Sequence, residues 1–259
     1  MQPASETKHV EQLPYDFGGH RFLLNQRDAD GFTNGTTLWL GGQILSYYLA
    51  SVLATGDDPN RKRAIELGSG IGLTALVLHS LGWNVCATDV EPVLSTVLKP
   101  NITFNNQSTS SHLLECKELD WMVPPAEWTW DAPNSITGAS PEDPTSSEPS
   151  FDLIVTADTL YISELVTPLL RSLHHLAKLS LAASSGKHSC PVYVSVERRD
   201  PQLMDRAFDE CRTVWGFEVE RVRATKIKKA LERAGVVWVR DKSVWEGVEI
   251  WKMRLRRDT

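Results

Sequence analysis

At 259 residues the chain is long enough for one or two domains with a core that needs no disulfide or metal staples. Its 41% hydrophobic and 23% charged content excludes wholesale disorder. A net charge of -6 argues against a general nucleic-acid binder and leans towards a basic macromolecular target.

No apolar run reaches the length of a membrane span, and residues 1–10 lack the apolar core of a secretory signal. The expected place is therefore the cytoplasm or the nucleus, with no membrane partner. Cys86, Cys116, Cys190 and Cys211 are scattered without a C-x-x-C pair, which predicts reduced core thiols and no metal site.

In chain order, residues 1–14 are polar and aperiodic and predict a loose tail. Residues 20–25 predict a strand, and 28–31 are turn-rich. From Gly35 the run Gly35-Thr36-Thr37-Leu38-Trp39 opens an apolar helix through Leu45, Tyr48, Leu49 and Leu53 at a period near 3.6. Strands follow at 63–67 and 84–89, with a helix from Thr74 between them. A helix over 93–104 is interrupted by Pro100, and a third strand over 112–119 runs into Asp120-Trp121. Residues 124–150 are rich in Pro, Ser, Thr and acidic residues, which predicts a flexible surface insert.

Residues 151–157 form a nearly continuous apolar run, as in a central parallel strand buried on both faces. A leucine-rich helix follows at 165–181, where the adjacent His174 and His175 diverge by about 100° and are expected at the surface. Strand 191–196, a helix from Pro201 capped by Asp200, and final strands at 216–223 and 248–255 complete the pattern, with a further short strand at 236–239. The alternation predicts an α/β doubly wound, Rossmann-like sheet, with an N-terminal extension at 1–34 and one domain at 35–259.

The chemistry centres on Glu66-Leu67-Gly68-Ser69-Gly70-Ile71-Gly72-Leu73, a strand, a glycine turn and a helix start, the usual cradle for a nucleotide-like ligand. The next strand delivers Asp89, a carboxylate that can accept from both ribose hydroxyls. Leu73 stands where a dinucleotide fingerprint wants a small residue, and Glu66 would repel a pyrophosphate. Both argue against a dinucleotide, and Glu66 suits a ligand with a cationic end, namely S-adenosylmethionine. The turn looks like the first motif of the seven-stranded methyltransferases.

In an open parallel sheet, ligands bind beyond the carboxyl ends of the strands. Those ends carry Glu66, Gly68, Ser69 and Gly70, then Asp89, then Asp120 and Trp121, then Ala157, Asp158 and Tyr161, then Glu197. Asp89 is expected on the ribose, Glu66 on the methionine ammonium, Asp120 on the adenine amino group and Trp121 against the ring. Asp158 and Tyr161, with Glu197, are expected to hold and orient a substrate amine. Methyl transfer then needs chiefly alignment and a neutral amine.

Asp158-Thr159-Leu160-Tyr161, together with the glycine turn, resembles the family 16 methyltransferase-like proteins, many of which methylate a lysine of a specific protein. The likeness runs over 35–255. It implies a seven-stranded class I methyltransferase fold, protein-lysine N-methylation and an adenosyl-site role for Trp39 of Gly35-x-x-x-Trp39. Ser195-Val196-Glu197-Arg198-Arg199 and Glu249-Ile250-Trp251-Lys252 are similar to the branch of methyltransferase-like protein twenty-two, whose animal member acts on a nucleic-acid-binding protein. A monomer acting on such a protein substrate, without binding nucleic acid itself, is the resulting expectation. The alternatives are a small-molecule or N-terminal amine methyltransferase and a catalytically silent cofactor-binding protein.

Overall fold

The computed structural model describes residues 4–27, 34–53, 62–106, 112–136 and 149–256. The turn predicted at 28–31 lies outside them. Helix α1 (Ala4–Thr7) and strand β1 (Gln12–Phe17) stand where the sequence predicts a loose tail. Strand β1 pairs antiparallel with β2 (His20–Asn25), from Gln12↔Asn25 to Phe17↔His20. Buried Tyr15 and Phe17 alternate with exposed Asp16, a period of two that begins only where the supposed tail ends.

Helix α2 (Leu40–Val52) begins later than predicted, because Trp39 is extended and acts as its N-cap. Then come β3 (Arg63–Leu67), α3 (Leu73–Ser80) and β4 (Asn84–Asp89). A π turn at Leu94–Leu98 leads into α4 (Lys99–Asn105). Pro100 follows directly on that π turn, and the helical run continues through it from Val93 to Asn105. Helix α4 clasps the hairpin through two asparagines. Asn105 accepts from the Leu23 N–H at 2.9 Å and donates back to the Leu23 carbonyl at 2.9 Å. Asn101, fully buried, accepts from the Asn25 N–H at 2.7 Å and donates to the Ile71 carbonyl at 2.9 Å.

Strands β5 (Leu114–Glu118) and β6 (Leu153–Ala157), helix α5 (Ser163–Ala183), β7 (Val192–Glu197) and α6 (Pro201–Thr213) follow. Asp200 caps α6 as predicted, accepting from the Leu203 N–H at 3.0 Å. The chain closes with β8 (Phe217–Arg221), α7 (Ala224–Arg233) and β9 (Val248–Leu255). Sequence reasoning missed α7, although Ile227, Ala230 and Leu231 bury one face at helical spacing. The short strand expected at 236–239 is instead the 3-10 turn Val237–Arg240. Val236 and Val239, three apart, are buried while Val237 is 83% exposed, and both edges of β9 are already paired.

The seven strands form the predicted sheet, in the order β5-β4-β3-β6-β7-β9-β8. All neighbours from β5 to β7 are parallel, with Ile65 opposite both Cys86 and Ile154, whereas β9 is antiparallel to β7 and β8. Both faces are covered. Ala64, Leu153 and Val155 join the core under α2, α3 and α7, and Ile65, Leu67 and Ile154 join the one under α5 and α6. The chain order reverses between β3 and β6, so the crevice beyond their carboxyl ends is the topological switch point.

Two readings of the α5 side are corrected. Within 124–136 of the insert, Trp128, Trp130 and Ile136 are buried, and the Ile136 N–H donates to the Glu118 carbonyl at 2.8 Å. These apolar residues outweigh the polar composition around them. His174 and His175 are not freely exposed either. Each is half-buried, with its ring 5.3 Å from an indole: Trp215 for His174 and Trp128 for His175.

Candidate active site

A cavity of about 420 Å³ opens at the switch point. Its floor is the turn after β3, where Gly68 (φ 67°), Gly70 (φ 53°) and Gly72 (φ 88°) take left-handed angles that side chains resist. A Cβ on Gly68 would lie 2.7 Å from Thr159 Cγ2 and 3.0 Å from the Trp121 ring, so the turn also needs glycine for close approach.

Asp89 is aimed at this floor from the end of β4. Its carboxylate accepts from the Gly70 N–H at 2.8 Å and from the Val90 N–H at 2.9 Å. Burial pushes its pKa up to about 6, against those two bonds. Glu66 is buried on β3, and burial pushes it to about 8 although Ser69, Thr74 and the Ala75 N–H hold it down. Its Oε2 has no hydrogen-bond partner. A buried carboxylate oxygen left open in a cavity wall is an acceptor for a cation. Glu66 Oε2 and the glycine cradle fit the ammonium and adenosyl ends of S-adenosylmethionine.

On the β6 side Asp158 takes a left-handed φ of 56°, and its N–H donates to the Ser195 carbonyl at 2.9 Å. Its Oδ2 accepts from the Gly41 N–H at 2.8 Å and its Oδ1 from the Glu197 N–H at 3.0 Å. Trp39 offers α2 no side-chain cap, so Asp158 serves that helix as an N-terminal carboxylate from 117 positions away. A Cβ on Gly41 would lie 2.5 Å from both Asp158 oxygens. Burial is the main cause that raises Asp158 to about 6. Each oxygen carries one backbone bond and keeps acceptor capacity for a further donor.

The cavity wall brings together Trp39, Glu66, Gly68, Ser69, Gly70, Asp89, Trp121, Ala157, Asp158 and Tyr161. Two expected residues stand off it. Asp120 is engaged locally, its Oδ1 accepting from the Met122 N–H at 2.8 Å. The Glu197 carboxylate faces Arg199, and Arg199 rather than Glu197 forms the wall. Sequence reasoning also missed Gly41, Thr74 and Thr159. Thr74, one place after Leu73 at the start of α3, was the most accessible of these, since side chains in a first helical turn face the ligand of a glycine loop.

Known proteins match this architecture. Residues 21–134 match the model of a family described as lysine methyltransferase. The protein-lysine methyltransferase METTL21E of Bos taurus is 29% identical over 172 residues, 65% of this chain and 52% of that one. Methyltransferase-like protein 22 of Homo sapiens, of the branch expected from the sequence, is 25% identical over 173 residues, covering 64% of this chain and 38% of that one. The chain thus spans about half the length of the bovine relative. Among solved structures, the SAM-dependent methyltransferase of Agrobacterium tumefaciens superposes with a TM-score of 0.52 at 13% identity, over 95% of this chain and 70% of that one. The fold is that of the class I methyltransferases.

Proposed function

We propose that this chain is an S-adenosylmethionine-dependent protein-lysine N-methyltransferase. The observation that carries the reading is the cavity itself: Glu66 Oε2, buried and unpartnered, shares a wall with Asp89 on one side and with Asp158 and Tyr161 on the other. The family match and the similarity to a protein-lysine methyltransferase support the same reading.

Glu66 would hold the methionine ammonium, Gly68, Ser69, Gly70 and Ala157 the body of the cofactor, Asp89 the ribose and Trp121 the adenosyl end, while Trp39 lines the same cavity. When bound, the cofactor supplies an electrophilic methyl on a sulfonium. Asp158 and Tyr161 would orient the lysine amine in line with that methyl. The amine must be neutral when it attacks. A buried wall beside a cationic cofactor lowers its pKa in that direction. The proton is finally lost to water. With a net charge of -6, a basic segment of a protein, such as a nucleic-acid-binding one, is the preferred substrate class. Four free thiols, three of them buried, accord with the cytoplasm or nucleus, and we take the protein to act as a monomer.

The test is transfer of labelled methyl from S-adenosylmethionine into cell lysate, resolved on a gel. The wild type is expected to label a discrete band, with methyl-lysine found in it by mass spectrometry, and Asp158→Ala none. Cofactor binding without any labelled protein would move the reading to a small-molecule amine or to a silent binding protein.

A further inference from the structure

Arg199 is an odd residue to find in a wall meant for a cation. The turn after β7 sets its place through a hydrogen bond from its N–H to the Glu197 carbonyl at 2.8 Å. Its guanidinium lies 4.5 Å from the centroid of the Trp39 ring and is ion-paired with the Glu197 carboxylate. Its charge also reaches Asp158, whose carboxyl it helps to hold down. An aromatic face flanked by carboxylates is what a cationic side chain seeks, and here one is already in place. Its neighbour Arg198 points elsewhere, to Glu249 and Asp205.

The hold on Arg199 is weak. Its side chain is 54% exposed and that of Glu197 33%, so solvent screens the pair. Trp39 is only half-buried. The elements around this spot are by contrast tightly set: Trp39 begins the helix that Asp158 caps, and Asp158 in turn takes the Glu197 N–H. A rigid rim therefore carries a loosely held cation.

We propose that the indole face of Trp39, flanked by the Glu197 and Asp158 carboxylates, is the seat for the alkylammonium side chain of the substrate, and that Arg199 fills it in the free protein. The incoming lysine displaces Arg199 from the ring and passes along it towards Asp158 and Tyr161. This rests on the reading of the cavity as a lysine site. It adds that Arg199 competes with the substrate, which makes Arg199 a determinant of which lysines enter.

The experiment titrates n-butylammonium into the full chain, followed by chemical-shift changes of the tryptophan indole N–H signals, for wild type, Arg199→Ala, Arg199→Gln and Arg199→Ala with Trp39→Leu. Removing the intramolecular competitor is expected to tighten binding about three- to fivefold in both Arg199 single variants. The double variant should lose the gain, and neutral n-butanol should show none. Equal or weaker binding by both single variants, or a gain that survives Trp39→Leu, would overturn the proposal. The methyl-transfer reading fails separately: a gain in ammonium binding with no labelled protein in lysate would remove the enzyme and leave the cation seat.

Discussion

Two aspartates at strand ends on either side of β3 make nearly the same bonds for different reasons. Asp89, at the end of β4, accepts from Gly70 and Val90, and Asp158, after β6, accepts from Gly41 and Glu197; burial lifts each to about 6. The partners of Asp89 lie in the adjoining turn and in the next residue. Those of Asp158 are 117 and 39 positions away, on α2 and β7. One carboxylate shapes a local cradle, and the other ties three distant segments into a wall. The same chemistry is thus a ligand site in the first case and also a structural junction in the second.

The largest effect expected from this contrast is on stability. Asp158→Ala leaves two buried N–H groups without acceptors and should cost about 2–4 kcal/mol, read as a lower midpoint in urea, with methyl transfer lost. A cost under about 1 kcal/mol would deny the junction. Gly41→Ala presses on the same carboxylate from the other side and should cost about 1–3 kcal/mol, without touching any cofactor contact proposed above.

Asp89→Ala should separate the two. The Gly70 and Val90 N–H groups can turn to water in the open cavity, so its stability cost should be smaller, about 1 kcal/mol. Its main effect should be a loss of S-adenosylmethionine affinity of about tenfold or more, measured by calorimetry. Equal affinity losses in the Asp89 and Asp158 variants would erase the distinction.

The same carboxyl groups also predict a pH dependence. Folded Glu66 titrates near 8 and the two aspartates near 6, all above their ordinary values. The folded state therefore holds extra protons, and the stability they contribute is full below about pH 4 and lost as pH rises towards 8. The ligand-free protein should melt at lower temperature at pH 8 than at pH 5, and Glu66→Gln should flatten the part above about pH 6. Cofactor binding at pH 7 should release a proton from Glu66 in the wild type but not in Glu66→Gln, seen by calorimetry in buffers of different ionisation enthalpy.

The cradle was legible because its parts are close in sequence. The run from Glu66 to Leu73 and the single residue Asp89 encode strand, turn, helix and carboxylate within about one βαβ unit. Trp39, Asp158 and Tyr161 were legible as types at strand and helix ends, but not their bonding. No local pattern says that Asp158 caps α2, whereas the bond from the Met122 N–H to Asp120, two residues away, is a local turn that the sequence could have shown. Composition misled twice, at the N-terminal hairpin and at 124–136, where a few apolar residues among polar neighbours were enough to pack.

By itself the sequence determined the alternation of strands and helices from β3 to α6, the doubly wound class and the glycine cradle with Asp89, because hydrophobic period and glycine placement act over a few residues. Tertiary structure alone decided how the substrate end is assembled, from α2, β6 and β7. Contacts between segments more than a hundred residues apart depend on the sheet order, and a linear pattern carries no distance across a sheet.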